Sequence, residues 1–467
     1  MKDLVFRKYD IRGKIGSEID IDRMYDLGRA LAYYFMEKNP DVQRVAIGMD
    51  GRTHSPIIKS HLCQALTDSG LDVVFVGVCT SPVLYYTLFT KSFDAGLMVT
   101  ASHNPKEYNG IKICFNKKMI WGDEVQKIKD IFKAGKKIDS DEIGSYAEEA
   151  MIDPYIDFIK DKFPLLVGME LSAVADCANG AAGTVMPKLI EKMEWKKVKL
   201  LFEEVDGDYP NHEADPVEPE NMRFVKDALA HTDAQVGVGF DGDCDRMAPM
   251  TKDGQLISGD KLLAIYSQPL LQKNPGTAIV FDVKASQGLV DLVNQWGGKP
   301  VMSPSGHSIV KKLMAEHGSL LGGELSCHFF FADRYFGYDD GVYAMMRLFE
   351  IMQETGKSLK ELASMFPQKI ISPEIRMQCS DEKKFEIVED VKLLFAKRDD
   401  VTLITIDGIR VVMEYGWGIL RVSNTQPVVS MRFESDTQSG LQKVKEDFYH
   451  VMKPHFDKTF LKEQIGI

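Results

Sequence analysis

The sequence predicts an α/β protein that closes on a smaller α+β domain. Three observations carry this. Near the N-terminus, apolar runs of strand length alternate with segments of helical spacing. Three strands end in the same way, with an aspartate followed by small residues before a helix. The last hundred residues replace this alternation with closely spaced strand-like runs.

The first unit begins at Arg44–Met49, a short apolar run ending at Asp50-Gly51. Ser55-Pro56 then reads as an N-cap followed by proline at the first helical position. Ile58, Leu62, Ala65 and Leu66 have helical spacing, and Gly70 is a natural stop. Val73–Val78 is the next buried strand. Strand, helix and strand joined by short turns imply a right-handed βαβ unit and a parallel sheet. The opening VAIGMDGR is echoed by AVADCANG (173–180) and AIVFDVKASQG (278–288). These are either three related α/β layers or the ordinary strands of one α/β protein.

The C-terminal region reads differently. EIRMQC (374–379) is strand-like, and Asp381 to Lys397 reads as a helix. VTLITIDG (401–408), IRVVMEYG (409–416), WGILRVS (417–423) and VVSMRFES (428–435) read as strands, with Asp407-Gly408 as a hairpin signal. A final amphipathic helix runs from about Leu441 to Met452. Clustered strands flanked by helices mean an antiparallel sheet. Asp153-Pro154, Asp253-Gly254 and Pro367 interrupt the pattern, which suggests domains at 1–150, 151–255, 256–366 and 367–467.

Length and composition narrow the function. The chain has 467 residues, enough for three or four domains, and 44% hydrophobic residues exclude bulk disorder. Lys+Arg is 57 and Asp+Glu is 69, a net charge of −12, which argues against general nucleic-acid binding. The seven cysteines are scattered and never spaced C-x-x-C, which suits a reducing cytoplasm. The start, MKDLVFRKYD, shows no apolar signal region. The uncharged run Val73 to Thr90 is broken at Cys79-Thr80-Ser81-Pro82, so it reads as strand, loop and helix rather than a membrane span.

The strongest chemical feature is Phe240-Asp241-Gly242-Asp243-Cys244-Asp245-Arg246. Three carboxylates at alternate positions on a tight loop repel one another unless a cation sits among them, and aspartate oxygens suit Mg²⁺. A calcium EF-hand fails, because Arg246 takes the glycine position and Lys252 the bidentate glutamate position. Gly237–Gly242 also matches G-x-G-x-x-G, but MAPMTKDGQ reads as a strand where a dinucleotide site needs a helix. A solvated acidic turn is the bland alternative.

Thr100-Ala101-Ser102-His103-Asn104-Pro105 follows the apolar strand GLMV. A serine just beyond a parallel strand lies where such sheets bind ligands, although a polar turn reads the same way. A Ser-His-Asp hydrolase is disfavoured. The chain lacks G-x-S-x-G, and adjacent Ser102 and His103 do not easily form a nucleophile–base pair. Arg421-Val422-Ser423-Asn424-Thr425-Gln426-Pro427 can ring a phosphate or form a hydrogen-bonded turn. Gly322–His328 offers Glu324 and Ser326 to vicinal sugar hydroxyls, and Ser305–Ser308 offers His307. Each of these loops alone reads more readily as a turn than as a site.

Taken in order, TASHNPKEYNGIKI, FDGDCDRM, GGELSCH and RVSNTQP resemble the four signature loops of the α-D-phosphohexomutase superfamily. FRKYDIRG and YPNHEADPVEPENM look similar too, and GELS favours the bacterial phosphomannomutase/phosphoglucomutase group. The resemblance spans essentially the whole chain. It implies four domains around a central cleft, three related α/β domains with mixed sheets and a smaller C-terminal α+β domain.

It also implies the chemistry. Ser102 would carry a phosphoryl group and, with Asp241, Asp243 and Asp245, hold Mg²⁺. Lys112 would be the first acid–base candidate, with His328 and Arg12 assisting. Glu324 and Ser326 would bind sugar hydroxyls, and Arg421, Ser423, Asn424 and Thr425 the substrate phosphate. Tyr9, Arg246, Lys284 and His307 match positions that touch sugar or phosphate. The implied activity interconverts hexose 1- and 6-phosphates of mannose, glucose or both. It runs through a phosphoserine and a hexose 1,6-bisphosphate, which also serves as activator. The alternatives are a phosphoglucosamine-type mutase and a non-catalytic sugar-phosphate binder. The expected partner is a small phosphosugar, with no nucleic acid or membrane, for a cytoplasmic monomer or dimer. One position departs from the family: Cys327 stands where glycine is usual. A positive φ would make cysteine costly there, so an ordinary β backbone is expected.

Overall fold

The computed structural model describes residues 1–422 and 428–467. It forms two units, Met1–Pro269 with Leu320–Ala363, and Leu270–Ser319 with Ser364–Ile467.

The first unit opens on a seven-stranded mixed sheet. Ala95–Val99, Arg44–Met49, Asp72–Val78 and Tyr146–Glu148 lie side by side and parallel. Tyr108–Phe115 adds to Ala95–Val99 in antiparallel register, and Ile11–Lys14 adds to Tyr108–Phe115 likewise. The central strands are apolar on both faces because helices cover both. Val45, Ile47, Val73 and Leu97 are buried with Leu27 and Leu31 of the helix Met24–Lys38 and Ile58 and Leu62 of the helix Ser55–Thr67. Ser55 begins that helix, but His54 is its N-cap. The Ser55 hydroxyl donates instead to Asp50, 2.7 Å away, because the strand end brings a buried carboxylate nearer than the helix amides. The uncharged run resolves as the strand Asp72–Val78, a short loop, and the helix Ser81–Thr90 capped by the Thr80 hydroxyl.

A second sheet places Val236–Phe240 parallel to Ala173–Asp176 and antiparallel to Met247–Thr251, with Val198–Leu201 on the far side. Met247–Thr251 is thus a strand where a dinucleotide site would need a helix. The hairpin Leu321–Gly323 with Phe329–Phe331 follows, then the helix Gly341–Thr355, whose N-cap is Asp340.

In the second unit, Ala278–Asp282 runs parallel to Lys299–Ser303. The C-terminal sheet is antiparallel throughout. Thr402–Ile404, Ile409–Met413, Gly416–Val422 and Val428–Ser435 pair in succession, and Ile370–Ile371 and Ile375–Gln378 both pair with Val428–Ser435. The helices Asp381–Phe395 and Gln438–Met452 pack on it through Val391, Phe395, Val444 and Phe448. Gln438–Met452 is not the last helix. Lys458–Ile465 follows, docked by Leu461 and Ile465. Its signals were the Asp457 cap, which accepts from the amides of Thr459 and Phe460, and Gly466 at φ 73°. Two buried apolar residues over eight positions, beside an exposed Phe460, are too few to show a period. Among the described residues no helix is long and apolar enough to cross a membrane.

Candidate active site

The serine loop leaves the C-terminal end of Ala95–Val99 and returns as Tyr108–Phe115. Ser102 is buried and adopts φ 51°, a strained backbone for a residue with a Cβ. Its hydroxyl lies 2.7 Å from Asp241 Oδ2 and 3.2 Å from His103 Nδ1. Although adjacent residues do not easily form a nucleophile–base pair, these two lie within hydrogen-bond distance. The left-handed turn at Ser102 folds the next side chain back over the hydroxyl. Burial first, then the neighbouring Arg246 and Arg12 charges, hold His103 well below the usual imidazole range, so its ring is neutral.

The acidic loop leaves Val236–Phe240. Asp241, Asp243 and Asp245 are buried, and a ligand atom from each lies within 4.8 Å of the others. Lys112, on Tyr108–Phe115, lies 2.5 Å from both Asp243 Oδ2 and Asp245 Oδ2. Burial works against its charge, but Asp243 and Asp245 outweigh burial, so its pKa rises and the ammonium persists. Asp245 is likewise pulled below the carboxylate range, with Lys112 and His328 overcoming burial. Asp241 moves the other way, raised by burial and by its two acidic neighbours. Asp243 also accepts from the Ser81 hydroxyl at 2.5 Å, at the start of Ser81–Thr90. Its Oδ1 is buried without a hydrogen-bond partner. A trio with three carboxylates and an orphaned oxygen fits a hard divalent ion, with Ser102 Oγ beside it.

The hairpin carrying Glu324 and Ser326 reaches the same place. His328 Nδ1 lies 3.0 Å from Glu324 Oε2 and 3.2 Å from Ser326 Oγ, and its Nε2 lies 3.2 Å from Asp245 Oδ1. Arg246 Nε is 3.1 Å from that Nε2. Burial and the Arg246 charge oppose protonation of His328, but Asp245 and Glu324 prevail and raise its pKa to about 9. Cys327 has φ 65°, so the expected β backbone is wrong. Glu324 N–H donates to His328 O at 2.9 Å and Cys327 N–H to Glu324 O at 3.0 Å. That closes a three-residue hairpin loop whose last residue must be left-handed, the position glycine usually fills.

Arg12 braces the serine loop rather than the acidic one. It donates to Asn104 Oδ1 at 2.7 Å and to Ala101 O at 3.2 Å, and pairs with Asp10. Tyr9 lies at the bend before Ile11–Lys14, with the Lys8 ammonium 5.5 Å from its ring.

The second unit gathers a separate group. Arg421, next to last in the strand Gly416–Val422, donates to Asp407 Oδ2 at 2.7 Å, and the same oxygen accepts from Ser305 N–H at 3.1 Å. Lys284 lies 3.2 Å from Asp282 Oδ2. His307 begins the helix His307–His317. Ser423, Asn424 and Thr425 lie outside the described residues.

Sequence reasoning missed His103, Ser81 and Asp407. His103 stood inside a recognised motif but was dismissed on spacing. Asp407 was read only as a turn residue. Ser81 carried no signal, since its partner is 162 positions away.

Comparisons with known proteins agree with this layout. Four family models match in chain order. Those for alpha/beta/alpha domains I, II and III of phosphoglucomutase/phosphomannomutase match residues 3–139, 153–254 and 258–370, and that for its C-terminal domain matches 374–451. A phosphomannomutase/phosphoglucomutase of Pseudomonas syringae pv. tomato is 38% identical over 463 residues, 98% of each chain. A phosphoglucomutase of Neisseria gonorrhoeae is 36% identical over 454 residues, 97% of each. A crystal structure of a phosphoglucomutase/phosphomannomutase family protein from Burkholderia thailandensis superposes with a TM-score of 0.89 at 34% identity, covering 97% of this chain and 98% of that one.

Proposed function

The chain belongs to the phosphoglucomutase/phosphomannomutase family, whose members are hexose-phosphate mutases and so isomerases, and on that premise we propose that it interconverts the 1- and 6-phosphates of mannose, glucose or both. The observation that carries the reading is the Ser102 hydroxyl 2.7 Å from Asp241, in a buried pocket shared with Lys112 and His328. Relatives with these names along the full length disfavour both the glucosamine-type mutase and the non-catalytic binder.

Ser102 is the phosphoryl carrier. In the first transfer the bond from phosphorus to the serine oxygen breaks, and a bond to the free sugar hydroxyl forms. The sugar oxygen loses a proton and the serine oxygen gains one, giving a hexose 1,6-bisphosphate. The reverse transfer, from the other phosphate, regenerates the phosphoserine. His103, neutral and 3.2 Å from the serine oxygen, is placed to exchange that proton. The charged Lys112, with His328 beside Asp245, favours the negative charge that develops on the transferring oxygens. Mg²⁺ held by Asp241, Asp243, Asp245 and Ser102 would supply further charge neutralisation. Glu324, Ser326 and Arg246 are assigned to sugar hydroxyls. Arg421, with Ser423, Asn424 and Thr425, is assigned to the existing phosphate, with Lys284, His307 and Tyr9 as further contacts. An acidic protein tolerates such a substrate because these cations make the local field positive. Seven cysteines with no disulfide among them suit a cytoplasmic setting.

The test pairs mass spectrometry of the Ser102 peptide with turnover of mannose and glucose 1-phosphates, given a hexose bisphosphate activator. Phosphorylated Ser102 and turnover that needs it support the reading. A Ser102→Ala variant with full-rate interconversion overturns it.

A further inference from the structure

The side chain of Arg52 reaches the serine loop from below. It is fully buried, follows Asp50-Gly51 at the end of Arg44–Met49, and belongs to none of the signature loops. A buried guanidinium is costly unless each face of its fork is occupied. Here the fork is spent on the serine loop. Nη2 donates to Ser102 O at 2.7 Å and Asn104 O at 2.5 Å, and Nη1 donates to Pro105 O at 2.7 Å and Tyr108 O at 3.1 Å. Nε donates to Asp50 Oδ2 at 3.2 Å, and the guanidinium lies 5.1 Å from the Tyr209 ring. Four carbonyls of one loop thus converge on one cation.

The geometry explains why a loop would need this. Ser102 sits at φ 51°, a conformation that relaxes unless both flanking peptides are held. Its amide donates to Thr100 Oγ1 at 2.9 Å, and its carbonyl accepts from Arg52. The two bonds fix the peptide planes on either side and leave the hydroxyl to the chemistry. We infer that Arg52 is a positioning residue for phosphoryl transfer, holding Ser102 Oγ at the acidic loop while making no contact of its own with sugar or phosphate. The inference rests on the mutase reading for its kinetic consequence, but not for its structural one.

The experiment compares Arg52→Lys and Arg52→Met with the wild-type enzyme. Lysine keeps the charge but presents a point donor that cannot span four carbonyls. Displacing a reacting atom by about 1 Å costs roughly 100-fold in rate. We expect kcat to fall by about that factor in Arg52→Lys, with KM for the hexose phosphate unchanged. Amide exchange should quicken across residues 102–109 while the strand Arg44–Met49 keeps its protection. Unchanged kcat with unchanged loop exchange in a folded variant overturns the inference. So does a loss of kcat that merely tracks global unfolding, with the strand exchanging as fast as the loop. If the Arg52 variants fail to fold, Thr100→Val carries the test, since it frees the amide on the other side of Ser102 and should give the same split. A wild-type enzyme without mutase turnover would sink the function, whereas the exchange pattern would still decide the role of Arg52.

Discussion

Ser102 and Cys327 both hold a left-handed backbone, and the two are held for different reasons. Ser102 is kept there by bonds to its neighbours, and its hydroxyl is the product of that strain. Ser102→Ala should therefore lower turnover by orders of magnitude and leave sugar-phosphate binding measurable by calorimetry. Cys327 is kept there by the hairpin loop, where glycine is equally at home. Cys327→Gly should change stability by no more than about 1 kcal/mol, since relief of strain offsets added unfolded-state freedom. Cys327→Val should cost more than that, because a β-branched residue resists positive φ. Denaturant titration of both variants checks the ordering, and equal losses would refute it. Lys112 carries a third expectation. Removing its charge with Lys112→Met strands two buried aspartates, and breaking such a pair costs about 3–5 kcal/mol. A variant as stable as wild type would show that the aspartates find another cation or a proton.

Elements set these residues beside one another. Gly242 shows how tightly: a Cβ there would fall 2.4 Å from the Ser102 carbonyl, so the acidic loop meets the serine loop backbone to backbone. The helix Gly341–Thr355 supports the acidic loop from another side, its first amide donating to Cys244 O at 3.0 Å. Asp340 caps that helix from full burial, accepting from Tyr335 at 2.6 Å and Tyr155 at 2.9 Å. Burial pushes its carboxyl from 3.8 up to about 6, against the pull of the tyrosine hydroxyls and helix amides. The folded state thus binds this proton more tightly than the unfolded chain. Its contribution to stability is fully present below about 3.8 and is lost as pH rises through about 6. Asp340→Asn keeps an acceptor for the cap and the hydroxyls but cannot ionise. Urea denaturation should show the variant gaining on wild type as pH rises through that window. Parallel curves would mean that Asp340 does not titrate there.

At the scale of the molecule, a net charge of −12 coexists with a site whose three aspartates are met by the ammonium of Lys112. Chelation should abolish turnover, and added Mg²⁺ should restore it and raise the melting temperature, because an ion that binds only the folded state stabilises it. A melting temperature indifferent to Mg²⁺ would argue that Lys112 alone neutralises the trio. Much of this layout was legible beforehand. Strands such as Arg44–Met49 and Val236–Phe240 announce themselves by apolar runs ending in aspartate or glycine, and the loops beyond them carry their chemistry in consecutive residues. The helix Lys458–Ile465 was not legible, since two buried residues make no period. The roles of Arg52 and Ser81 were hidden for another reason: the groups they hold lie far along the chain.

The amino-acid order alone determined which short segments bear reactive groups, because aspartates at alternate positions or a serine in a polar turn declare themselves locally. It also determined the α/β character and the antiparallel end, since hydrophobic period is a local property. Only the tertiary structure decided that His103 turns onto Ser102, that Lys112 bridges two aspartates and that Cys327 is left-handed. Those outcomes depend on burial and, for Lys112, on a segment up to 133 residues away. No periodicity encodes them, because charge state and backbone sign are set by what surrounds a residue and not by what adjoins it.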